Sequence, residues 1–322
     1  MPIAFSRAGV GQLLAESFEM RALANSSGFP VAHPRGETIM MVADFGGRHK
    51  GQYFDTYAFL VFDLDRNERW LHGQRIFRQA VMPNRRRMAF KSMNDKFRHR
   101  ALLPFLQLAD EIDGWLVLFA ISKAGGSAFR STDRTDDVEE LLKIWKPNVR
   151  EELLRIVHFS AFLLSGFSSL GQNILWIIDK DEVAANVRQL TQLTKILTHV
   201  LSNSIGHDLR NLRCGTTQSD DGSMSLEDLV AICDLGAGTL CEVATAMNSQ
   251  GRTPVRNIMT MLPAGLTWKS RSVASWLAAD IGSLKRLTCL IELSATSSGM
   301  RSTMMRWHAT AGRVLLPEYA YP

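Results

Sequence analysis

The sequence predicts an α/β fold in which a mixed sheet is covered by helices on both faces. Two short apolar runs indicate buried strands, because an uninterrupted run of about four to eight apolar residues is typical of a strand covered on both sides. One run ends at Asp44 and the other at Asp179. Apolar residues recur at helical spacing over 183–203 and 226–247. Strands that alternate with helices favour a sheet with helices packed on its faces.

The first part of the chain is predicted to form a short N-terminal extension and then a group of strands around one basic helix. The extension covers 1–37 and contains an amphipathic helix over 8–24. Aromatic and β-branched residues predict strands over the following ranges: 38–43, 54–62, 70–81 and 114–122. A long helix is predicted from Asn84 to about Ile112, and Pro104 should kink or divide it.

The remaining chain alternates helices and strands and then changes in composition. The predicted elements are helices over 136–146, 148–168, 183–203 and 226–247, with strands ending at Asp179 and covering 209–216. A capping box at Ser225–Asp228 is expected to open the last of these helices. The core would therefore cover 38–250. Residues 251–322 would form a small α+β extension, with a helix at 271–281 and a strand pair, that closes onto the core or contacts a protein partner or a second copy.

Composition restricts the class of protein. The chain has 322 residues, of which 46% are hydrophobic and 21% charged, as in ordinary globular proteins. Its net charge of +5 is compatible with a polyanionic partner. Four cysteines without CxxC spacing argue against a zinc knuckle. No apolar run reaches the roughly 18 residues of a membrane span, so we expect a cytoplasmic protein without a membrane partner.

Three aspartates interrupt apolar segments. Asp44 and Asp179 each follow a predicted buried strand, and the two would share one sheet edge if their strands are adjacent and parallel. Asp234 lies within the apolar face of the predicted helix over 226–247. A buried, unpaired carboxylate costs several kcal/mol, so each must be hydrogen-bonded, paired or metal-bound. The simpler alternatives are a turn or helix-capping residue for the first two and a buried ion pair for Asp234.

Carboxylates without a His or Cys cluster favour Mg²⁺ or Mn²⁺, which prefer oxygen ligands. Two such ions are the common arrangement for attack of water on a phosphodiester. Asp44, Asp179 and Asp234 are therefore predicted metal ligands and catalytic residues, and Asp228 is a further candidate ligand, with helix capping as its alternative role.

The chain resembles the ribonuclease H-like superfamily, most closely a large bacterial family of uncharacterised proteins within it. Those proteins have a first strand ending Asp-Glu-Ser-Gly, an Asp at the end of a middle strand, and a helix with the pattern Leu-x-x-Ala-Asp-Leu-x-Ala-Gly. The matching stretches here are Ala43–Gly47, Trp176–Asp179 and Leu229–Gly238. The resemblance covers 38–247 and implies a ribonuclease H-like sheet and metal-dependent nuclease activity, with Asp44, Asp179 and Asp234 as ligands.

The chain departs from the family in two places. Phe45 stands where the relatives have Glu, and a Glu-x-Lys motif on the first long helix is reduced to its lysine, Lys91. Missing carboxylates favour the alternative of a catalytically inactive module that binds nucleic acid or a protein partner.

Basic residues predict the partner. The segment 85–100 is strongly basic and would give salt-sensitive, sequence-independent contacts to phosphates. The predicted contacts to nucleic acid are Arg85, Arg86, Arg87, Lys91, Lys96 and Arg98. Lys91 would also stabilise phosphate at the catalytic site. The simpler alternative is a solvated basic face.

The sequence thus predicts a nuclease that acts on DNA or RNA with Mg²⁺ or Mn²⁺. A lesser alternative is a haloacid-dehalogenase-like phosphatase, because Asp179-Lys180-Asp181 has the D-x-D spacing of those enzymes. In that case Asp179 would be the nucleophile and Asp181 the acid–base.

Overall fold

A computed structural model describes residues 36–49, 51–125, 129, 136–251, 262–279, 281–293, 300–305 and 307. Within these residues seven strands form one sheet in the order β5-β4-β1-β2-β3-β6-β7. The strands are β1 (Thr38–Gly46), β2 (Phe54–Asp63), β3 (Gly114–Ser122), β4 (Asn173–Ile178), β5 (Asn211–Thr216), β6 (Lys285–Leu293) and β7 (Met300–Met305). β2 and β7 run antiparallel to the other five strands. The predicted mixed α/β sheet is confirmed, and the helix predicted over 8–24 lies outside the described residues.

Helices cover both faces of this sheet. They are α1 (Glu68–Ala80), α2 (Lys96–Ala109), α3 (Asp136–Leu142), α4 (Pro147–Phe167), α5 (Val187–Ser202), α6 (Ser225–Ser249) and α7 (Trp268–Ala278). α4 and α5 pack their apolar side chains on one face, into a core with Met41 and Ala43 of β1. α1, α2, α6 and α7 pack on the other face, with Met40 and Val42. Alternate residues of β1 therefore enter different cores, as expected for a strand buried on both sides.

Two local predictions in the first half are wrong. The strand predicted over 70–81 is the helix α1, which buries Trp70, Gln74 and Phe77 at helical spacing. The helix predicted from Asn84 begins only at Lys96, because the Asp95 carboxylate accepts hydrogen bonds from the N–H groups of the first turn of α2. The helix α2 continues through Pro104, so the proline does not divide the helix.

The capping box predicted at the start of α6 is also wrong. The Asp220 carboxylate accepts hydrogen bonds from the N–H groups of Met224 and Leu226, at 2.9 and 2.8 Å. It therefore satisfies the first turn of α6 from the preceding loop, while Ser225 and Asp228 are left for other contacts.

The predicted C-terminal strand pair is present and continues the same sheet. β6 pairs in parallel with β3, and β7 pairs antiparallel with β6. The sheet thus extends across the predicted boundary at residue 250. Among the described residues, α6 is the one helix that is long and apolar enough to cross a membrane, and 72% of its most apolar window is buried in the protein, as in a core helix.

Candidate functional site

The end of β1 and the end of β4 bring two aspartates to one edge of the sheet. The strands are adjacent and parallel, with Ala43 opposite Ile178. Asp44 and Asp179 follow these paired residues directly, so they lie level with one another. Because side chains alternate along a strand, Asp44 belongs to the face that carries Met40 and Val42, which is the face covered by α6.

Helix α6 brings the third aspartate to the same place. The helix lies close to the sheet because Gly236 has no side chain: a Cβ there would lie 2.9 Å from Leu118. Thr56 of β2 donates a hydrogen bond to the Ala237 carbonyl, at 3.1 Å. These contacts hold Asp234 beside Asp44, and the two side chains share a hydrogen bond.

A loop before α2 covers this pair from the solvent side. The Phe90 N–H donates to Asp234 Oδ2 at 2.6 Å. The Phe90 ring lies against α6 where Gly238 leaves space, since a Cβ on Gly238 would lie 2.5 Å from the ring. Lys91 follows directly, is exposed, and its charge acts on Asp234. Gly238, the second glycine of the Asp-Leu-Gly-Ala-Gly motif, thus allows this loop to pack beside Asp234.

Burial and like charge make the pair reluctant to ionise. Burial, followed by the charges of Asp234 and Asp179, raises the pKa of Asp44 well above its ordinary value. Burial also raises the pKa of Asp234, while the hydrogen bonds with Phe90 and Asp44 and the charge of Lys91 oppose that effect. A cation bound at this edge would oppose both shifts, because it favours the ionised form of each carboxyl.

Asp179 is in a different electrostatic state. Its Oδ1 accepts hydrogen bonds from Arg87 Nη2 (2.9 Å), Thr217 Oγ1 (2.9 Å) and the Lys180 N–H (2.8 Å). Burial alone would raise its pKa, but these partners, led by Arg87, lower it below the ordinary value. Asp179 therefore stays ionised, and the described residues make no hydrogen bond to its Oδ2.

Arg87 joins Asp179 to a carboxylate that sequence reasoning missed. Its guanidinium also forms an ion pair with Glu227 of α6. Glu227 precedes Asp234 by two helical turns and so points from the same side of α6. That spacing could have identified it as a member of the site.

The predicted nucleic-acid contacts lie mainly in the loop before α2 rather than on a helix. Arg85 donates to the Gly222 carbonyl, and Arg86 forms an ion pair with Asp95. Arg87, as described, is paired with two carboxylates. The charges of Arg86 and Arg87 are therefore partly neutralised within the protein.

The other predicted contacts are more open. Lys91 and Lys96 are exposed. The Lys96 ammonium lies 5.6 Å from the Phe97 ring. Arg98 donates through Nε to the Arg87 carbonyl at 2.6 Å, so it supports the loop that carries Arg87.

Asp228 is not available as a metal ligand, so that prediction is wrong. Its side chain is fully buried and forms an ion pair with Arg78, whose Nε lies 2.8 Å from Oδ2. Gln74 donates to the same oxygen at 2.8 Å. Burial raises the pKa of Asp228, and Arg78 opposes that effect. The residue joins α6 to α1.

Phe45 directs its side chain to the face of the sheet opposite Asp44. Its ring lies 5.8 Å from the Tyr57 ring and 6.2 Å from the Phe59 ring, on the opposite face of the sheet. Any side chain at this position points away from Asp234. Phe45 therefore takes no part in the surroundings of the Asp44–Asp234 pair.

A second charged cluster occupies that opposite face. Arg48 lies between Glu152 and Asp181, with Nη2 2.6 Å from a carboxylate oxygen of each. Burial raises the pKa of Glu152 to about 7, although Arg48 opposes the shift. Asp181 also accepts a hydrogen bond from the Val183 N–H at 2.9 Å. The carboxylate required as the acid–base of a phosphatase is thus engaged by Arg48 and the backbone.

The donor set at Asp44 and Asp234 fits a hard cation. Their oxygens are the ligand type that Mg²⁺ and Mn²⁺ prefer, and a cation would remove the repulsion between them. Among the residues described, however, no group of three or more His, Cys, Asp and Glu side chains is arranged to hold a metal ion. Oδ1 of Asp179 is directed to Arg87 and Thr217.

No protein-family model matches this chain, and no curated protein matches it.

Proposed function

We propose that the protein is a ribonuclease H-like nuclease that hydrolyses phosphodiester bonds of DNA or RNA with Mg²⁺ or Mn²⁺. The proposal combines the sequence motifs around the three aspartates with their positions on the mixed sheet. Asp44 and Asp179 lie level on adjacent parallel strands, and α6 presents Asp234 to the same edge.

The contact between Asp44 and Asp234 is the observation that supports this function most strongly. Two carboxyls that serve only the fold would be expected to have a cation or several donors around them. Here the two carboxyls share a hydrogen bond, and burial and like charge raise the pKa of both. The few donors around the pair, chiefly the Phe90 N–H and the charge of Lys91 at Asp234, leave carboxyl oxygens that a divalent cation could bind.

Each residue of the candidate site has a distinct role in the proposed reaction. Asp44 and Asp234 would hold the cation, and Asp179 would offer Oδ2, because Oδ1 is already fixed by Arg87 and Thr217. Fixing one oxygen of a ligand orients the other. Lys91, exposed beside Asp234, would attract the substrate phosphate. A bound Mg²⁺ would supply an activated water and neutralise charge on the phosphate.

The test is degradation of labelled single-stranded and double-stranded DNA and RNA. We expect cleavage with Mg²⁺ or Mn²⁺ and none with EDTA. Asp44→Asn and Asp234→Asn should reduce cleavage by more than about a hundredfold, since a lost ligand costs at least as much as a lost supporting residue. Asp113→Asn, an exposed aspartate before β3 at the opposite edge, should cut like the wild type. Wild type that cuts none of these substrates would refute the proposal.

A catalytically inactive module is the second candidate, and Arg87 favours it. The Arg87 guanidinium already pairs with Asp179 and Glu227, so part of the acidic site is neutralised by the protein itself. The same assay separates the two functions: an inactive module binds nucleic acid or a protein and leaves every substrate intact with either metal.

The phosphatase alternative has its own readout. It requires Asp181 to act as an acid–base next to Asp179, and it predicts cleavage of small phosphomonoesters such as p-nitrophenyl phosphate. The ion pair between Asp181 and Arg48 makes that role less suitable than a structural one. Activity on the small ester that disappears in Asp181→Asn, without activity on polynucleotides, would favour the phosphatase.

A further inference from the structure

A surface that combines rings and cations extends outward from the Asp44–Asp234 pair. We call it the aromatic–basic surface and define it by Arg86, Phe90, Lys96, Phe97, Trp268 and Lys269. Its residues come from the loop before α2, from the first turn of α2 and from the first turn of α7. The last of these elements belongs to the C-terminal part of the chain, outside the region that resembles the ribonuclease H-like proteins.

The inner end of this surface touches the candidate site directly. The Phe90 N–H donates to Asp234, and the Phe90 carbonyl accepts a hydrogen bond from Lys269 Nζ at 3.0 Å. The same ammonium lies 4.0 Å from the centre of the Phe90 ring. Phe90 therefore contacts both Asp234 and Lys269, and it places the Lys269 charge close to the candidate site.

The outer end carries the accessible rings. Trp268 is partly exposed, and its ring stacks on His99 with centroids 3.8 Å apart. Phe97, two residues before His99, is 44% exposed, which is unusual for a phenylalanine. The Arg86 guanidinium lies 5.0 Å from the Phe97 ring and the Lys96 ammonium 5.6 Å from it. Exposed rings flanked by cations therefore lie beyond Lys269.

The charge of this surface is positive. Arg86 is paired with Asp95, but among the described residues neither Lys96 nor Lys269 forms an ion pair with a carboxylate. The nearby Glu242 of α6 accepts hydrogen bonds from Thr267 and Ser270 at the start of α7. Two lysines are thus left to attract an anionic ligand.

From this arrangement we infer that the aromatic–basic surface binds single-stranded nucleic acid and leads it to Asp44 and Asp234. Lysine charges bind phosphates of any strand, whereas exposed rings stack on unpaired bases. The bases of a duplex are stacked inside the helix, so a duplex would use only the charges. The inference deepens the proposed function, because it assigns the strandedness of the ligand at the same site.

The experiment measures binding without cleavage. Fluorescence anisotropy in EDTA compares short labelled oligothymidylate and oligouridylate with a duplex of equal length. We expect wild type to bind the single strands more tightly. Phe97→Ala should weaken single-strand binding about tenfold and leave duplex binding unchanged. Lys96→Gln should weaken both and reduce the slope of log affinity against log salt by about 0.7 for the single strands.

Matched controls come from distant exposed residues. Leu170, 74% exposed before β4, provides Leu170→Ala as the control for Phe97→Ala. Lys195, exposed on α5 of the opposite face, provides Lys195→Gln as the control for Lys96→Gln. Neither should change binding. Phe97→Ala that binds single strands like the wild type, or that loses single-strand and duplex binding equally, would overturn the inference.

The binding inference and the nuclease proposal can be refuted independently of one another. If Phe97→Ala lowers single-strand affinity as expected but wild type cuts no substrate with either metal, this inference stands and the nuclease proposal falls. If wild type cuts in a metal-dependent way and Phe97→Ala binds single strands normally, the nuclease proposal stands and this inference falls.

Discussion

Asp228 and Asp234 lie on the same helix and both point into the protein, yet their surroundings are opposite. Asp228 is enclosed by Arg78 and Gln74, which satisfy its charge. Asp234 faces Asp44, a second carboxyl, and receives one backbone hydrogen bond from Phe90. The difference indicates two uses of an inward-facing carboxylate. Asp228 neutralises Arg78 and thereby joins α6 to α1. Asp234 lies beside a second carboxyl, where a bound cation would neutralise both side chains.

The largest effect expected from this difference concerns stability. Asp228→Asn leaves the buried Arg78 without its partner, which should lower the free energy of unfolding by about 3–5 kcal/mol. Asp234→Asn removes a like charge and should not lower it. Urea denaturation of both variants in EDTA measures the two values. Equal losses in the two variants would show that both aspartates serve the fold.

The second effect concerns the loop that contacts Asp234. Gly238→Ala places a Cβ against the Phe90 ring and should cost about 1–3 kcal/mol of unfolding free energy, because the ring is confined by α6. Gly206→Ala is the matched control, since a Cβ there meets no atom within 4 Å. The same urea titration reports both. A Gly238→Ala variant as stable as the Gly206→Ala variant would mean that Phe90 is not held by this packing.

The third effect distinguishes two possible roles of Arg87. The residue could orient Asp179 for a metal, or it could take the place of the metal. If Arg87 orients Asp179, Arg87→Gln should weaken Mn²⁺ binding by about 10–100-fold, the usual effect of removing a residue that supports a ligand. Isothermal titration provides the affinity. Arg85→Gln, which alters a contact to the Gly222 carbonyl in the same loop, is the control. Tighter Mn²⁺ binding by Arg87→Gln would instead identify Arg87 as an internal substitute for the cation.

The smallest effect is a dependence of stability on pH. The pKa of Asp44 is raised in the folded protein, so folded Asp44 keeps its proton to a higher pH than unfolded Asp44. Without metal, this contribution to stability is complete below the ordinary aspartate pKa of about 3.9 and is lost as pH rises through the folded value. Asp44→Asn has no such proton to lose and should be more stable than wild type at pH 8, by on the order of 1 kcal/mol.

Thermal unfolding in EDTA between acidic and mildly basic pH measures that difference. The two proteins should converge at low pH and separate as pH rises. A wild type whose stability relative to Asp44→Asn does not change with pH would contradict the raised pKa of Asp44.

The sequence was sufficient for the elements that position the aspartates. Uninterrupted apolar runs predicted β1 and β4, and helical spacing predicted α6, because these patterns depend on burial over a few neighbouring residues. The adjacency of β1 and β4 was only a condition of the prediction, because β2 and β3 lie between them in the sequence and no local pattern determines which strands pair. The pattern over 70–81 was misread, because its aromatic and β-branched residues favour a strand while Trp70, Gln74 and Phe77 have helical spacing.

The partners of each carboxylate could not be predicted in the same way. Arg78 pairs with Asp228 across 150 residues of sequence, and Arg87 pairs with Asp179 across 92 and also with Glu227. No local pattern distinguishes an aspartate on α6 that meets an arginine from one that meets a second aspartate. Asp228 meets Arg78 of α1, whereas Asp234 meets Asp44 of β1, and both contacts arise from packing between elements that are far apart in the sequence.

Titration of Mn²⁺ into the metal-free protein tests the central claim most directly. We expect the wild type and Asp113→Asn to bind Mn²⁺ with equal affinity, and Asp44→Asn and Asp234→Asn, each shown to be folded, to lose that binding. This result would identify the uncompensated pair as a cation site. Wild type that binds no Mn²⁺, or Asp44→Asn that binds it as well as the wild type, would contradict the claim.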